Sequence, residues 1–142
     1  KDESYFTEGE TMRWFETVSF YPHKDKENVI LEQHYTSFKL LTDNENLVII
    51  DVRSKEIIQS DGMIEGAINV PRGMLEFHAD QREDNPFRVT DINPNKKLVL
   101  YCGVGGQSAL STKTLQDMGF SNVYNLTGGA NGWVEAGFKL NK

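Results

Sequence analysis

Leu98-Val99-Leu100-Tyr101-Cys102-Gly103-Val104-Gly105-Gly106-Gln107-Ser108 joins a short apolar run to a cysteine and then to a glycine-rich turn. An unbroken run such as Leu98–Tyr101 predicts a strand buried on both faces, as in a parallel sheet. From Gln107 the spacing becomes helical, with Leu110, Thr114, Leu115 and Met118 expected inward and Gly119 as the stop. Strand, loop and helix therefore follow one another within about two dozen residues.

The flanking sequence repeats this plan. Leu47–Val52 (LVIIDV) reads as another buried strand, and Ser54 is placed to cap a short helix over Lys55–Ser60 that Asp61-Gly62 breaks. Ala67–Val70 (AINV) is a brief strand closed by Pro71, and Gly73–His78 forms a turn of helix. Residues 79–96, with Pro86 and Pro94, are a polar surface excursion. Val123–Leu126 (VYNL) is a further strand ahead of Gly128-Gly129 and a helical turn holding Trp133. Ile30, Leu31, Tyr35, Phe38 and Leu41 keep helical spacing up to the Asp43-Asn44 turn. Strands alternating with helices predict an α/β domain with a largely parallel sheet. Residues 1–29 show no sustained period and read as an arm, with Trp14, Phe15, Phe20 and Tyr21 lying on the domain at 30–142. Pro22 and the charged run Lys24–Glu27 mark its boundary.

Composition narrows the function. The chain has 142 residues, 15 Lys+Arg against 21 Asp+Glu and a net charge of −6, which argues against a nucleic-acid partner. Its one cysteine excludes an intrachain disulfide and a zinc site of paired thiolates. No apolar run approaches the roughly 20 residues of a membrane span, and the first residues lack a signal-peptide plan. A free thiol fits a reducing cytoplasm better than a periplasm. Glycines 103, 105 and 106 fail the dinucleotide fingerprint, because Ser108 stands where its third glycine belongs. His23, His34 and His78 are scattered, and the alternating Glu76, His78 and Asp80 read as a solvated face beside Phe77 rather than a metal site. Asn125-Leu126-Thr127, formally a glycosylation acceptor, overlaps a strand and is set aside. The expectation is no metal and no cofactor.

Cys102 is the chemical candidate. It follows a buried strand at the sheet edge where α/β domains gather ligands, and Asp51 ends its own strand on the same edge. Glycines let successive N–H groups form a nest, and the helix starting near Gln107 adds the positive end of its dipole. A thiol held there is a candidate nucleophile. An inert, packed cysteine is the commoner fate of a free thiol, but packing gives no reason for a costly glycine loop behind it.

Four motifs in order resemble the rhodanese homology domain over roughly residues 30–139. They are Ile50-Asp51-Val52-Arg53, the stretch Gly62-Met63-Ile64-Glu65-Gly66-Ala67-Ile68-Asn69-Val70-Pro71, the loop from Tyr101 to Ser108, and Gly128-Gly129-Ala130-Asn131-Gly132-Trp133. The resemblance implies a rhodanese-like three-layer fold, a central mostly parallel sheet flanked by helices. It also implies a sulfurtransferase or persulfide carrier. Cys102 would take the outer sulfur of a donor such as thiosulfate and yield it to cyanide or a thiol. The loop Gly103, Val104, Gly105, Gly106, Gln107 and Ser108 would cradle the persulfide, while Asp51, Arg53 and Arg72 support it. A sulfur-relay protein is an implied partner, and the chain is expected as a monomer or weak homodimer. Active relatives commonly carry arginine where this chain has Gly103 and Gln107, so both loop cations are missing. The rival reading is a non-catalytic or weakly active module that binds a small anion or partner protein, with Cys102 as a redox sensor. Phosphatases or arsenate reductases of the same fold need an arginine where Ser108 stands.

Overall fold

In the computed structural model, which describes residues 19–20, 47–126, 128–135 and 137–142, a parallel sheet organises the chain. Its strands are β1 (Ser19–Phe20), β2 (Leu47–Asp51), β3 (Ile68–Asn69), β4 (Lys97–Tyr101) and β5 (Val123–Leu126), in the order β1-β5-β4-β2-β3. Helices α1 (Lys55–Asp61), α2 (Leu75–Ala79), α3 (Gly106–Asp117) and α4 (Gly129–Glu135) fill the connections, with a 3-10 turn at Arg72–Met74. The α/β fold expected from the sequence is the one observed. β1 lies inside the stretch read as an arm and pairs with β5, Ser19 opposite Asn125. The rest of that arm, the helix expected over Val29–Leu41, His23 and His34 lie outside the described residues. Among the described residues no helix is long and apolar enough to cross a membrane.

Strand alternation divides the apolar residues between two cores. Val48, Ile50, Val52, Leu98, Leu100, Cys102 and Val123 pack with Leu75 and Ala79 of α2 and Leu115 of α3. Leu47, Ile49, Val99, Tyr101 and Leu126 face the other way, onto Ala130 and Trp133 of α4. A sheet buried on both faces needs such continuous apolar runs, and three layers result. Ser54 caps α1 as expected, its Oγ accepting the Ile57 N–H at 3.4 Å.

One local expectation is corrected. In α3 the buried residues are Ser108, Ala109, Ser111, Thr112 and Leu115, whereas Leu110 and Met118 are 47% and 37% exposed. The Ser111 and Thr112 hydroxyls donate back to the Gln107 and Ser108 carbonyls at 2.9 and 2.7 Å, so they face the sheet without a polar group left unsatisfied. Apolar periodicity is blind to a face built of small hydroxyl residues. Glu76 and His78 sit on helix α2, not a strand, so alternation does not bring them together with Asp80. His78 Nδ1 instead bonds the Phe87 carbonyl at 2.7 Å, and Asp80 pairs with Arg82.

Tyr101 gives the fold an alkaline limit. Its buried hydroxyl accepts the Ile64 N–H at 2.9 Å. Burial first, and the neighbouring Asp51 carboxylate second, push its ionisation well above the ordinary 10.0. The folded state thus holds the phenol neutral, and this contribution is full below about pH 10 and lost as pH rises beyond it. The urea midpoint of the wild type should therefore fall more steeply above about pH 10 than that of Tyr101→Phe. Parallel curves for the two proteins would contradict this.

Candidate active site

Cys102 comes directly after β4, and the loop Gly103–Gly105 turns the chain into α3. Register sets its depth: Asp51 pairs with Tyr101, so Val52 and Cys102 stand side by side just past the strand ends. Cys102 is 4% exposed, at the floor of the loop. Gly105, with φ of 108°, takes a left-handed conformation that folds the loop back, and its N–H donates to Cys102 Sγ at 3.1 Å. The Ser108 hydroxyl lies 3.4 Å from the same sulfur.

The loop keeps further donors in hand. The N–H groups of Gly103, Val104, Gly106, Gln107 and Ser108 donate to no other described residue. Several belong to the first turn of α3, whose N-terminal N–H groups lack helical partners and carry the positive end of the dipole. No side chain from Gly103 to Ser108 bears a charge. The site is a buried sulfur that accepts the Gly105 N–H, in a loop with no charged side chain of its own and with backbone donors to spare, suited to an anion centred on or next to that sulfur.

α4 clamps the loop from the other side. Ala130 and Asn131 N–H donate to the carbonyls of Cys102 and Gly103 at 2.8 and 3.0 Å. Gly129 permits this approach: its φ is 59°, and a Cβ there would press on the Cys102 and Gly103 carbonyls. Gly129→Ala should cost about 2–3 kcal/mol, combining left-handed strain with a backbone clash. Denaturant unfolding checks this, and a loss below about 0.5 kcal/mol would show that the clamp tolerates a side chain.

Asn125 is the residue that sequence reasoning missed. Wholly buried on β5, it takes the Ser108 hydroxyl on Oδ1 at 2.5 Å and gives Nδ2 to the Gly105 carbonyl at 3.3 Å. An asparagine in the middle of a buried strand was the available signal, since a polar group there needs partners.

The supporting residues fall on different faces. Asp51 lies at the carboxyl edge with Cys102, but its register partner Tyr101 points to the opposite face from Cys102. Arg53 Nη2 bonds Asp51 Oδ2 at 2.9 Å and the Gly62 carbonyl at 2.7 Å, and its Nε bonds Asp51 Oδ1 at 3.1 Å. The pair thus braces the end of α1 rather than the cysteine loop, a departure from the sequence expectation that follows from side-chain alternation. Burial pulls the Arg53 guanidinium down, but its bonds to Asp51 outweigh this and hold it above its usual range. Arg72 does reach the loop, donating from Nη1 to the Gln107 carbonyl at 2.9 Å. Arg88 donates from Nη2 to Gln81 Oε1 at 3.1 Å. Two open clefts of about 460 and 480 Å³ lie elsewhere and are not lined by residues 102–108. Among the described residues no group of His, Cys, Asp and Glu is placed to hold a metal.

Comparison with known proteins points the same way. A family model, Rhodanese-like domain, matches residues 35–136. A sulfurtransferase of Allochromatium vinosum is 28% identical over 100 residues, covering 70% of this chain and 83% of that protein. The adenylyltransferase and sulfurtransferase UBA4 of Lodderomyces elongisporus is 29% identical over 124 residues, 83% of this chain, and the chain spans only 27% of that protein's length. Among solved structures, a Rhodopseudomonas palustris protein of unknown function, named as a possible tyrosine phosphatase, superposes with a TM-score of 0.69 at 30% identity, covering 96% of each chain.

Proposed function

We propose, for a chain that belongs to the rhodanese-like domain family, that it moves a sulfane sulfur from a donor to a thiophilic acceptor through a persulfide on Cys102. In the first step the Cys102 thiolate attacks the outer sulfur of the donor, a new S–S bond forms, and the donor's own bond to that sulfur breaks. With thiosulfate the leaving group is sulfite. In the second step cyanide, or an acceptor thiolate, attacks the outer sulfur and departs as thiocyanate or a new persulfide, returning the Cys102 thiolate. The observation that carries this reading is the sulfur itself, bonded by the Gly105 N–H at 3.1 Å in a loop whose other N–H groups donate to no other described residue. Those amides are the means of holding an anionic persulfide in a site that water barely reaches. In the same proposal residues 30–142 are the working domain and residues 1–29 its arm.

Donor choice follows from charge. The loop's own side chains are uncharged, Arg72 reaches it only through the Gln107 carbonyl, and the chain carries −6 overall, so a dianion such as thiosulfate gains little fixed charge from it. A persulfide donor, singly charged or presented by a protein, suits the site better. Relatives named as sulfurtransferases support the transfer, and the Lodderomyces name, which joins it to adenylyl transfer, supports a relay protein as partner. The phosphatase reading attached to the Rhodopseudomonas structure is disfavoured here, because Ser108 stands where an oxyanion-gripping arginine is needed.

Restoring one cation tests both chemistry and donor. A Cβ at Gly103 meets nothing within 4 Å and the position has no left-handed φ, so the backbone accepts the start of an arginine side chain there. Turnover of thiosulfate to thiocyanate should rise about tenfold in Gly103→Arg, from one charge-assisted contact. Turnover of a neutral trisulfide should change far less. Unchanged thiosulfate turnover in a folded variant would show that loop charge does not set the donor.

A further inference from the structure

We infer that Asn125 is a positioning residue of the Cys102 site, one that decides whether the single hydroxyl proton of Ser108 is given to the sulfur. Cys102, Ser108 and Asn125 are all buried, and Ser108 Oγ lies between three acceptors: Asn125 Oδ1 at 2.5 Å, the Gly105 carbonyl at 3.3 Å and Cys102 Sγ at 3.4 Å. It has one proton to give. The Asn125 amide is oriented by its other end, because Nδ2 faces the Gly105 carbonyl and that carbonyl can only accept. Oδ1 therefore faces Ser108, takes its proton at the shortest of the three distances, and leaves a hydroxyl lone pair toward the sulfur. A neutral thiol completes the chain by donating S–H to Ser108 Oγ. When the thiol proton leaves to solvent, the Ser108 proton stays on Oγ but must rotate from Asn125 to serve the anionic sulfur.

Asn125 and the sulfur anion thus compete for one donor. The competition gives the resting site a brake: the Gly105 N–H always serves the sulfur, while the Ser108 hydroxyl serves it only on leaving Asn125. Among the described residues, the charged group bonded to this network is Arg72, through the Gln107 carbonyl, and no carboxylate bonds the loop. The consequence runs against the usual outcome of removing a buried hydrogen bond. Asn125→Leu, apolar and of similar size, should free the Ser108 proton for the sulfur and favour the thiolate. The Gly105 carbonyl remains satisfied in that variant by the Ala109 N–H at 3.1 Å.

The role of this brake rests on the sulfur-transfer reading, but its test does not. Because Cys102 is the sole cysteine, ultraviolet absorbance of the thiolate reports it alone. Followed against pH, the thiolate-to-thiol ratio near neutrality should rise about three- to tenfold in Asn125→Leu, the net worth of one ordinary hydrogen bond. The rise should vanish in the Asn125→Leu/Ser108→Ala double variant, and Ser108→Ala alone should shift the ratio less than about twofold. Asn125→Val, suited to a strand, makes the same prediction should Asn125→Leu fail to fold by circular dichroism. An unchanged or lower ratio in the folded Asn125 variants, an equal rise without Ser108, or a large drop in Ser108→Ala alone overturns the inference. Failure of the protein to take up sulfur would leave this coupling standing and remove only the sulfur-transfer reading.

Discussion

Asp51→Ala is expected to remove about 3–5 kcal/mol of folding stability, enough to unfold a domain of ordinary stability at moderate temperature. The carboxylate is wholly buried and the Arg53 side chain is 5% exposed, so neither charge has water to fall back on. Three side-chain contacts join them, and Asp51 Oδ1 also accepts the Arg53 backbone N–H at 2.9 Å. Removing the carboxylate leaves a buried guanidinium whose remaining contacts are the Gly62 carbonyl, the half-open Asp61 and the face of Tyr101. Replacing both partners with apolar residues, as in Asp51→Leu/Arg53→Met, should cost much less, because no charge is stranded. Urea unfolding of the single and double variants measures the difference. A single variant within about 1 kcal/mol of wild type would mean that solvent enters this site freely.

Cys102→Ser should have the larger effect on chemistry and a small one on stability. Serine keeps an acceptor for the Gly105 N–H and nearly the same volume, so the fold should lose no more than about 1 kcal/mol. An alkoxide is not available at neutral pH to attack a sulfane sulfur, and sulfur transfer should fall by roughly a thousandfold or more. Loss of activity without loss of structure separates a nucleophile from a packed cysteine.

The sheet was legible because its strands are buried on both faces. Runs such as Leu47–Val52 and Leu98–Tyr101 leave no polar side, and that alone indicates parallel strands between helical layers. Cys102 and its glycines were equally plain, since a costly glycine loop between strand and helix has few purely structural uses. The inner face of α3 was hidden because Ser111 and Thr112 satisfy their hydroxyls on their own helix, which hydrophobic spacing does not record. Asp51 and Arg53 were expected to support the cysteine loop, but the element they brace depends on which face each residue points to at a strand's end. One residue of register moves a side chain from the cysteine's face to the other. Asn125 escaped because its partners, Ser108 and Gly105, are brought to it only by the packing of β5 under α3.

The central claim, a persulfide on Cys102, is tested most directly by intact-mass spectrometry of the reduced protein after incubation with thiosulfate and, separately, with a persulfide donor. The account predicts a gain of one sulfur atom, larger with the persulfide donor, absent in Cys102→Ser and discharged by cyanide. No gain from either donor, in a folded protein whose Cys102 still reacts with a small alkylating agent, would contradict it and favour a rhodanese-fold module that binds an anion or a partner without transferring sulfur.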